Sequence, residues 1–222
     1  MNNYFNLPSE NVFLNDFNAF AFQSLKKDTL DQIKNHEMYL DMRSGDLVSM
    51  FQNDADQDLC FAQLTKSKKI VETEILNLAY KYLENNIDLL KKITYNGDIL
   101  ELNDFDLFFE RNWVNYQRPG EFIPLHRHSG VISFVIWVQI PYSLKLDPSY
   151  RTNTTSKDAV GHFDLVYASP FGEIRNFLIP VDNTYEGKIL MFPAEMLHQV
   201  YPFYEKDIRI TFSGNIRARK KC

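Results

Sequence analysis

Two hydrophobic rhythms divide the chain. Between about Ser67 and Leu90, Ile70, Ile75, Leu76, Leu78, Ala79, Tyr82, Leu83, Ile87, Leu89 and Leu90 recur at mixed spacings of three and four. That period predicts an amphipathic helix, with Asn85-Asn86 as the point where it breaks. A shorter helix is expected after Asp28-Thr29, carried by Leu30, Ile33, Met38 and Leu40. From about Asn96 the period falls to two and turn residues punctuate it. N-W-V-N-Y (Asn112 to Tyr116) ends at Arg118-Pro119-Gly120, and V-I-S-F-V-I-W-V (Val131 to Val138) is apolar on both faces. Further short runs follow: H-F-D-L-V-Y-A, N-F-L-I-P, K-I-L-M-F-P and D-I-R-I-T-F-S-G-N-I. Many short strands at roughly ten-residue intervals predict a sandwich or barrel. The doubly apolar run belongs between two layers.

The last run separates its faces sharply. Ile208, Ile210 and Phe212 fall on one side of an extended chain, and Arg209, Thr211 and Ser213 on the other. In a simple soluble sheet the polar side would meet water. In a barrel whose outside is covered by the N-terminal helices, it would line a pocket. The reading is a mainly β protein with helical support (α+β): residues 1–95 a helical elaboration of the same globule, residues 96–222 the β core.

With 222 residues, 45% hydrophobic and 14% aromatic, the chain can bury a large core as one domain. Its net charge of −5 gives no general attraction to nucleic acid or anionic lipid. The basic tail, Arg217, Arg219, Lys220 and Lys221, reads as a solvated terminus. Two widely separated cysteines, Cys60 and Cys222, form neither a disulfide framework nor a cysteine zinc site. No run approaches the length of a membrane span, and a cytoplasmic location is expected.

The candidate chemistry lies in G-E-F-I-P-L-H-R-H-S-G. His126 and His128 project to the same side of an extended segment and can share an ion. His198, after K-I-L-M-F-P, is the best third ligand. Each histidine taken alone reads more simply as a satisfied core or surface residue. Arg209 adds weight to the sharper reading. It follows His198 by eleven residues, room for a turn at Pro202 to Asp207 and a return as the neighbouring strand. An inward guanidinium needs an anion, and its forked donors suit a carboxylate, with Thr211 able to add a hydroxyl.

These residues resemble the Fe(II)/2-oxoglutarate-dependent oxygenases, which are built on a double-stranded β-helix, a jelly-roll or cupin-like barrel. The family pattern of H-x-D/E, a distal His, and an Arg about ten residues later with Ser or Thr two positions beyond is met by His126, His128, His198, Arg209 and Thr211. A branch common in marine phages and bacteria is closer still. Its W-x-N, Gly, H-x-H, S-x-V-x-Y/W with a closing Pro, and FP-x4-H before R-I-S/T-x-S-x-N are met by Trp113, Asn115, Gly120, Ser133, Trp137, Pro141, Phe192, Pro193 and Asn215. The resemblance runs from Arg111 to Ile216, and the N-terminal hundred residues match no pattern.

The resemblance implies Fe(II) held by His126, His128 and His198, with O2 and 2-oxoglutarate as cosubstrates. Arg209 and Thr211 would hold the far carboxylate, and Tyr116, pointing inward with Val114, would assist from an adjacent strand. It implies a hydroxylase that couples decarboxylation of 2-oxoglutarate to oxidation of an unidentified substrate. His128 departs from the pattern, standing where the family has a carboxylate, so the ion would meet three neutral imidazoles. Asp164 or Glu195 is an alternative source of that carboxylate. A cupin-like three-histidine metalloenzyme that does not use 2-oxoglutarate is a second reading: Gly120 to His128 and Gly187, Pro193, His198 fit cupin spacings, but the expected glutamate after H-x-H is absent. The segment Leu144 to Gly161, rich in Ser and Thr, is plausible lid material.

Overall fold

A computed structural model describes residues 3–6, 11–35, 67–93, 101–144, 159–169 and 171–221. Among the described residues ten strands form two antiparallel sheets. In chain order they are β1 (Asn3–Asn6), β2 (Asn11–Asp16), β3 (Phe105–Gln117), β4 (Ile123–His126), β5 (Ile132–Gln139), β6 (Phe163–Ala168), β7 (Ile174–Ile179), β8 (Lys188–Pro193), β9 (Leu197–Val200) and β10 (Arg209–Lys220). The major sheet runs β1-β2-β8-β5-β10-β3 and the minor sheet β4-β9-β6-β7. The architecture is a double-stranded β-helix with helices on its outside. Among the described residues two helices support it, α1 (Ala19–Asn35) and α2 (Lys68–Glu84).

The helix read over Ser67 to Leu90 forms as α2 and breaks at Asn85-Asn86, continuing as 3-10 turns over Ile87–Ile93. The shorter helix begins earlier than expected, because the Asn18 carboxamide accepts hydrogen bonds from the Phe20 and Ala21 backbones and starts α1 at Ala19. Met38 and Leu40, expected in that helix, lie outside the described residues, as do Cys60, Cys222 and most of the Leu144 to Gly161 segment. Within residues 1–95, read as a helical elaboration, Asn3–Asn6 and Asn11–Asp16 form β1 and β2 and add to the edge of β8. A two-strand addition of this kind leaves only a weak alternation in the sequence. The basic tail extends β10 rather than leaving it, with Arg217 paired to Glu110.

Two cores result. One lies between the major sheet and the helices, where Ile132, Phe134, Ile136 and Val138 meet Ile75, Tyr82 and Leu83. The other lies between the sheets, where Val135 and Trp137 meet Phe163, Leu165 and Phe192. The central strand β5 therefore contributes to both, as its doubly apolar sequence predicts. Each fully buried side chain of this size contributes roughly 1.5–3 kcal/mol. Among the described residues, no helix is long and apolar enough to cross a membrane.

Candidate functional site

The pleat of the major sheet decides which residues enter the space between the sheets. On β10, Ile210, Phe212 and Ile216 pack into the helix-side core. Arg209, Thr211 and Ser213 point the other way and line a cavity. The neighbour β3 follows the same parity through the pairs Arg209↔Gln117, Thr211↔Asn115 and Ser213↔Trp113. The polar face of the last strand is thus interior, as the helix-covered barrel requires. The cavity, about 60 Å³, exceeds the room needed for a single water and is lined also by the three histidines.

His126 and His198 are cross-strand partners on β4 and β9. His128 lies just past β4, and its backbone N–H donates to the Ala194 carbonyl at 2.9 Å. One potential ligand atom from each of His126, His128 and His198 falls within 4.8 Å of the others. Among the described residues this is the one group of His, Cys, Asp or Glu so gathered. The chain can leave the site directly into β5 because Gly130 has φ +103°, and a Cβ there would lie 2.9 Å from the Ile216 carbonyl oxygen.

The electrostatics keep two of these rings neutral. Burial, followed by the neighbouring His126, lowers the His198 pKa to about 3, partly opposed by its hydrogen bond to the Met196 carbonyl. Burial and His126 likewise lower that of His128 to about 4, with Glu110 opposing. His126 Nδ1 lies 2.7 Å from the Pro124 carbonyl and His198 Nδ1 2.9 Å from that of Met196. A carbonyl only accepts, so both Nδ1 atoms carry hydrogen and Nε2 is the atom each ring can offer to an ion. Neutral imidazoles with oriented lone pairs are the donor set that Fe(II), Zn(II), Cu(II) and Ni(II) accept. Neither alternative carboxylate joins them. Asp164 sits on the opposite face of β6 from Phe163, with Oδ2 accepting from Asn176 at 2.6 Å and Gln199 at 2.8 Å, and Glu195 is exposed.

Arg209 is 2% exposed. Nε donates to Gln117 Oε1 at 2.9 Å, and Nη2 donates to the same oxygen and to the Tyr201 carbonyl at 3.0 Å. Nη1 donates to Tyr142 Oη at 2.6 Å and to the Gly161 carbonyl at 3.1 Å. The Phe203 ring lies 5.1 Å from the guanidinium carbon. Among the described residues no carboxylate lies within 4 Å of it. Burial lowers the guanidinium pKa, with Tyr142 opposing, and burial raises that of the Tyr142 phenol. Gly161 approaches Tyr142 so closely that a Cβ would stand 2.6 Å from its ring. This approach brings the Gly161 carbonyl to both Tyr142 and Arg209.

Two placements differ from the sequence reading. Tyr116 was expected to point inward with Val114. The two do share a face, but it is the helix side: Tyr116 is buried in the outer core and its hydroxyl donates to the Thr29 carbonyl at 3.2 Å. Between Trp113 and Gln117 the odd-numbered residues of β3 face the cavity and the even-numbered ones the helices, whereas before the register shift at Glu110 it is Phe105 and Leu107 that meet the helix-side core. Arg209 was expected on the strand next to His198, whereas β9 and β10 lie in different sheets, so the two side chains reach the cavity from facing walls. Gln117 and Tyr142, which hold Arg209, were not singled out. The polar alternation Asn115, Gln117 opposite Thr211 and Arg209 was the available signal for the first, and Tyr142 left none.

Residues 111–215 match the family model described as 2OG-Fe(II) oxygenase. The β core that carries the site is that of a 2OG-Fe(II) oxygenase. That superfamily uses Fe(II), 2-oxoglutarate and O2, and the oxygenase's three-histidine group and its unneutralised cation fit an ion and an anion. No curated protein matches the chain. Among solved structures, AviO1 from Streptomyces viridochromogenes Tue57 is similar over 95% of this chain and 89% of its own, with 13% identity and a TM-score of 0.54, a likeness of fold. A prolyl-4-hydroxylase from Pseudomonas putida aligns over 93% and 92% at 12% identity and a TM-score of 0.42. A 2OG-Fe(II) oxygenase family oxidoreductase from Burkholderia pseudomallei aligns at 15% identity and a TM-score of 0.34 over 50% of this chain, which spans 45% of that protein's length.

Proposed function

We propose that this oxygenase is a hydroxylase in which His126, His128 and His198 hold the iron and Arg209 holds the far carboxylate of 2-oxoglutarate. The observation that carries the reading is a fully buried guanidinium, with no carboxylate neighbour among the described residues, in the same cavity as the three histidines. Burying a cation without an anion is strongly unfavourable, so a dicarboxylic ligand that supplies the missing charge is stabilised there. Bound iron with O2 and the keto acid supplies the oxidising chemistry.

This chain's own residues do the rest. The carbonyls of Pro124 and Met196 fix the His126 and His198 rings, so that both present Nε2 to the ion. Thr211 borders the cavity beside Arg209, and its hydroxyl oxygen accepts from Asn115 Nδ2 at 3.1 Å, leaving its own proton for a carboxylate. Trp113, whose ring centroid is 5.2 Å from that of His128, and Phe192, 4.9 Å from His198, exclude water from the ion's flanks. Tyr142, through Arg209, holds the guanidinium in plane. Tyr116 has no part in this arrangement.

Protein incubated with Fe(II), ascorbate and 2-oxoglutarate should form succinate by uncoupled turnover even without its substrate. No succinate, together with no calorimetric binding of 2-oxoglutarate to metal-loaded protein, would defeat the reading.

A further inference from the structure

The guanidinium of Arg209 has five N–H groups, and all five already have acceptors. Two meet the Gln117 carboxamide oxygen, two the carbonyls of Gly161 and Tyr201, and one the Tyr142 hydroxyl. A carboxylate arriving at this cation finds no free donor, and one acceptor must leave. The two carbonyls are held by their own backbones: Gly161 N–H donates to Pro202 and Tyr201 N–H to His162. Tyr142 is fixed between Gly161 and a stacked Phe203, ring centroids 5.1 Å apart. Gln117 is the remaining one, and its side chain can rotate.

Gln117 also occupies the edge that matters. Its single oxygen accepts from Nε and Nη2 together, the pair that a carboxylate grips with two oxygens. It lies directly across the ladder from Arg209 and borders the cavity.

We propose that Gln117 is an internal stand-in for the cosubstrate's carboxylate: its amide occupies the fork of Arg209 until 2-oxoglutarate displaces it. This rests on the cosubstrate assignment above. The neutral amide keeps the buried guanidinium satisfied without neutralising it, so a ligand bearing full negative charge can take its place and a neutral one cannot. Its amide nitrogen donates to the Glu121 carbonyl at 2.5 Å, in a turn also held by the Arg118 N–H to the Glu121 carboxylate. The next hydrogen bond along runs from Gly120 N–H to the Phe203 carbonyl, and Phe203 covers the guanidinium. Displacement of Gln117 therefore loosens the turn over the same cation. The apparent affinity is the intrinsic affinity reduced by the fraction of molecules with the fork free.

The test is calorimetric titration of 2-oxoglutarate into Mn(II)-loaded wild type, Gln117→Ala, Gln117→Glu and Arg209→Ala, with a thermal melt of each. Gln117→Glu puts a competing carboxylate on the fork and should weaken binding roughly tenfold or more, the scale of one hydrogen bond between charged groups. Gln117→Ala should bind at least as tightly as wild type. The proposal is overturned if Gln117→Glu binds within about threefold of wild type, or if a folded Gln117→Ala binds more weakly than wild type. If Gln117→Ala does not fold, Gln117→Glu alone decides. Binding by wild type and its loss in Arg209→Ala test the cosubstrate assignment separately. Binding by Gln117→Ala where wild type shows none supports both, and absence of binding in both overturns both.

Discussion

His126 and His198 face each other across the β4–β9 ladder with ring centroids 4.2 Å apart, each with Nδ1 on a carbonyl two residues before it. The repeated contact orients both rings in the same way, and His128, with its ring centroid 4.9 Å from that of His126, completes a group with no carboxylate in it.

Removal of one imidazole should abolish metal retention. His198→Ala, measured by elemental analysis after reconstitution with Fe(II) under anaerobic conditions, should fall from about one metal per chain to background. The loss should exceed the roughly 10–100-fold typical of outer-shell changes. Retention of metal near the wild-type level would remove His198 from the ligand set.

The metal-free protein should lose stability in acid in a definite window. His128 and His198 have folded pKa values of about 4 and about 3, below the ordinary 6.5 of an unfolded histidine. Between these values the unfolded chain binds protons that the native protein does not, so stability is full above about pH 6.5 and falls toward pH 3–4. Each such histidine adds up to about 1.4 kcal/mol per pH unit to the slope. Denaturant melts in chelator from pH 7 to 4 should be steeper for wild type than for His198→Asn, and equal slopes would contradict the neutral-ring assignment.

Arg209→Lys keeps the charge but offers one point donor group in place of a fork. It should retain metal while weakening 2-oxoglutarate, with KM raised much more than kcat is lowered. It should also destabilise the fold by about 1–3 kcal/mol, because the Gln117, Gly161 and Tyr201 oxygens lose partners. Unchanged cosubstrate affinity would exclude Arg209 as the anion site.

Tyr116→Phe should leave metal content and cosubstrate binding unaltered and lower stability by about 1 kcal/mol, the share of its hydrogen bond to the Thr29 carbonyl. A tenfold change in 2-oxoglutarate affinity with intact stability would restore Tyr116 to the site.

Much of this was readable because it depends on short-range periodicity. The i, i+2 spacing of His126 and His128 needs only an extended segment to bring both to one side. The amphipathic face of β10 separates Arg209 and Thr211 from Ile210 and Phe212 in any register, and the doubly apolar β5 calls for two layers. The absolute side was harder. Val114 and Tyr116 share a face, as alternation demands, yet alternation does not say whether that face meets helices or cavity. It took the β3–β10 register to put Gln117, and not Tyr116, beside Arg209.

The sequence alone determined the residue types, the period of each segment and the faces on which the histidines and the arginine fall, because these follow from local backbone geometry. Tertiary structure decided what meets what: that β9 and β10 oppose each other across two sheets, and that Tyr142, Gly161 and Gln117 close around one guanidinium. Such contacts join residues 48 to 92 positions apart and are set by strand register and packing, long-range quantities that no local pattern encodes.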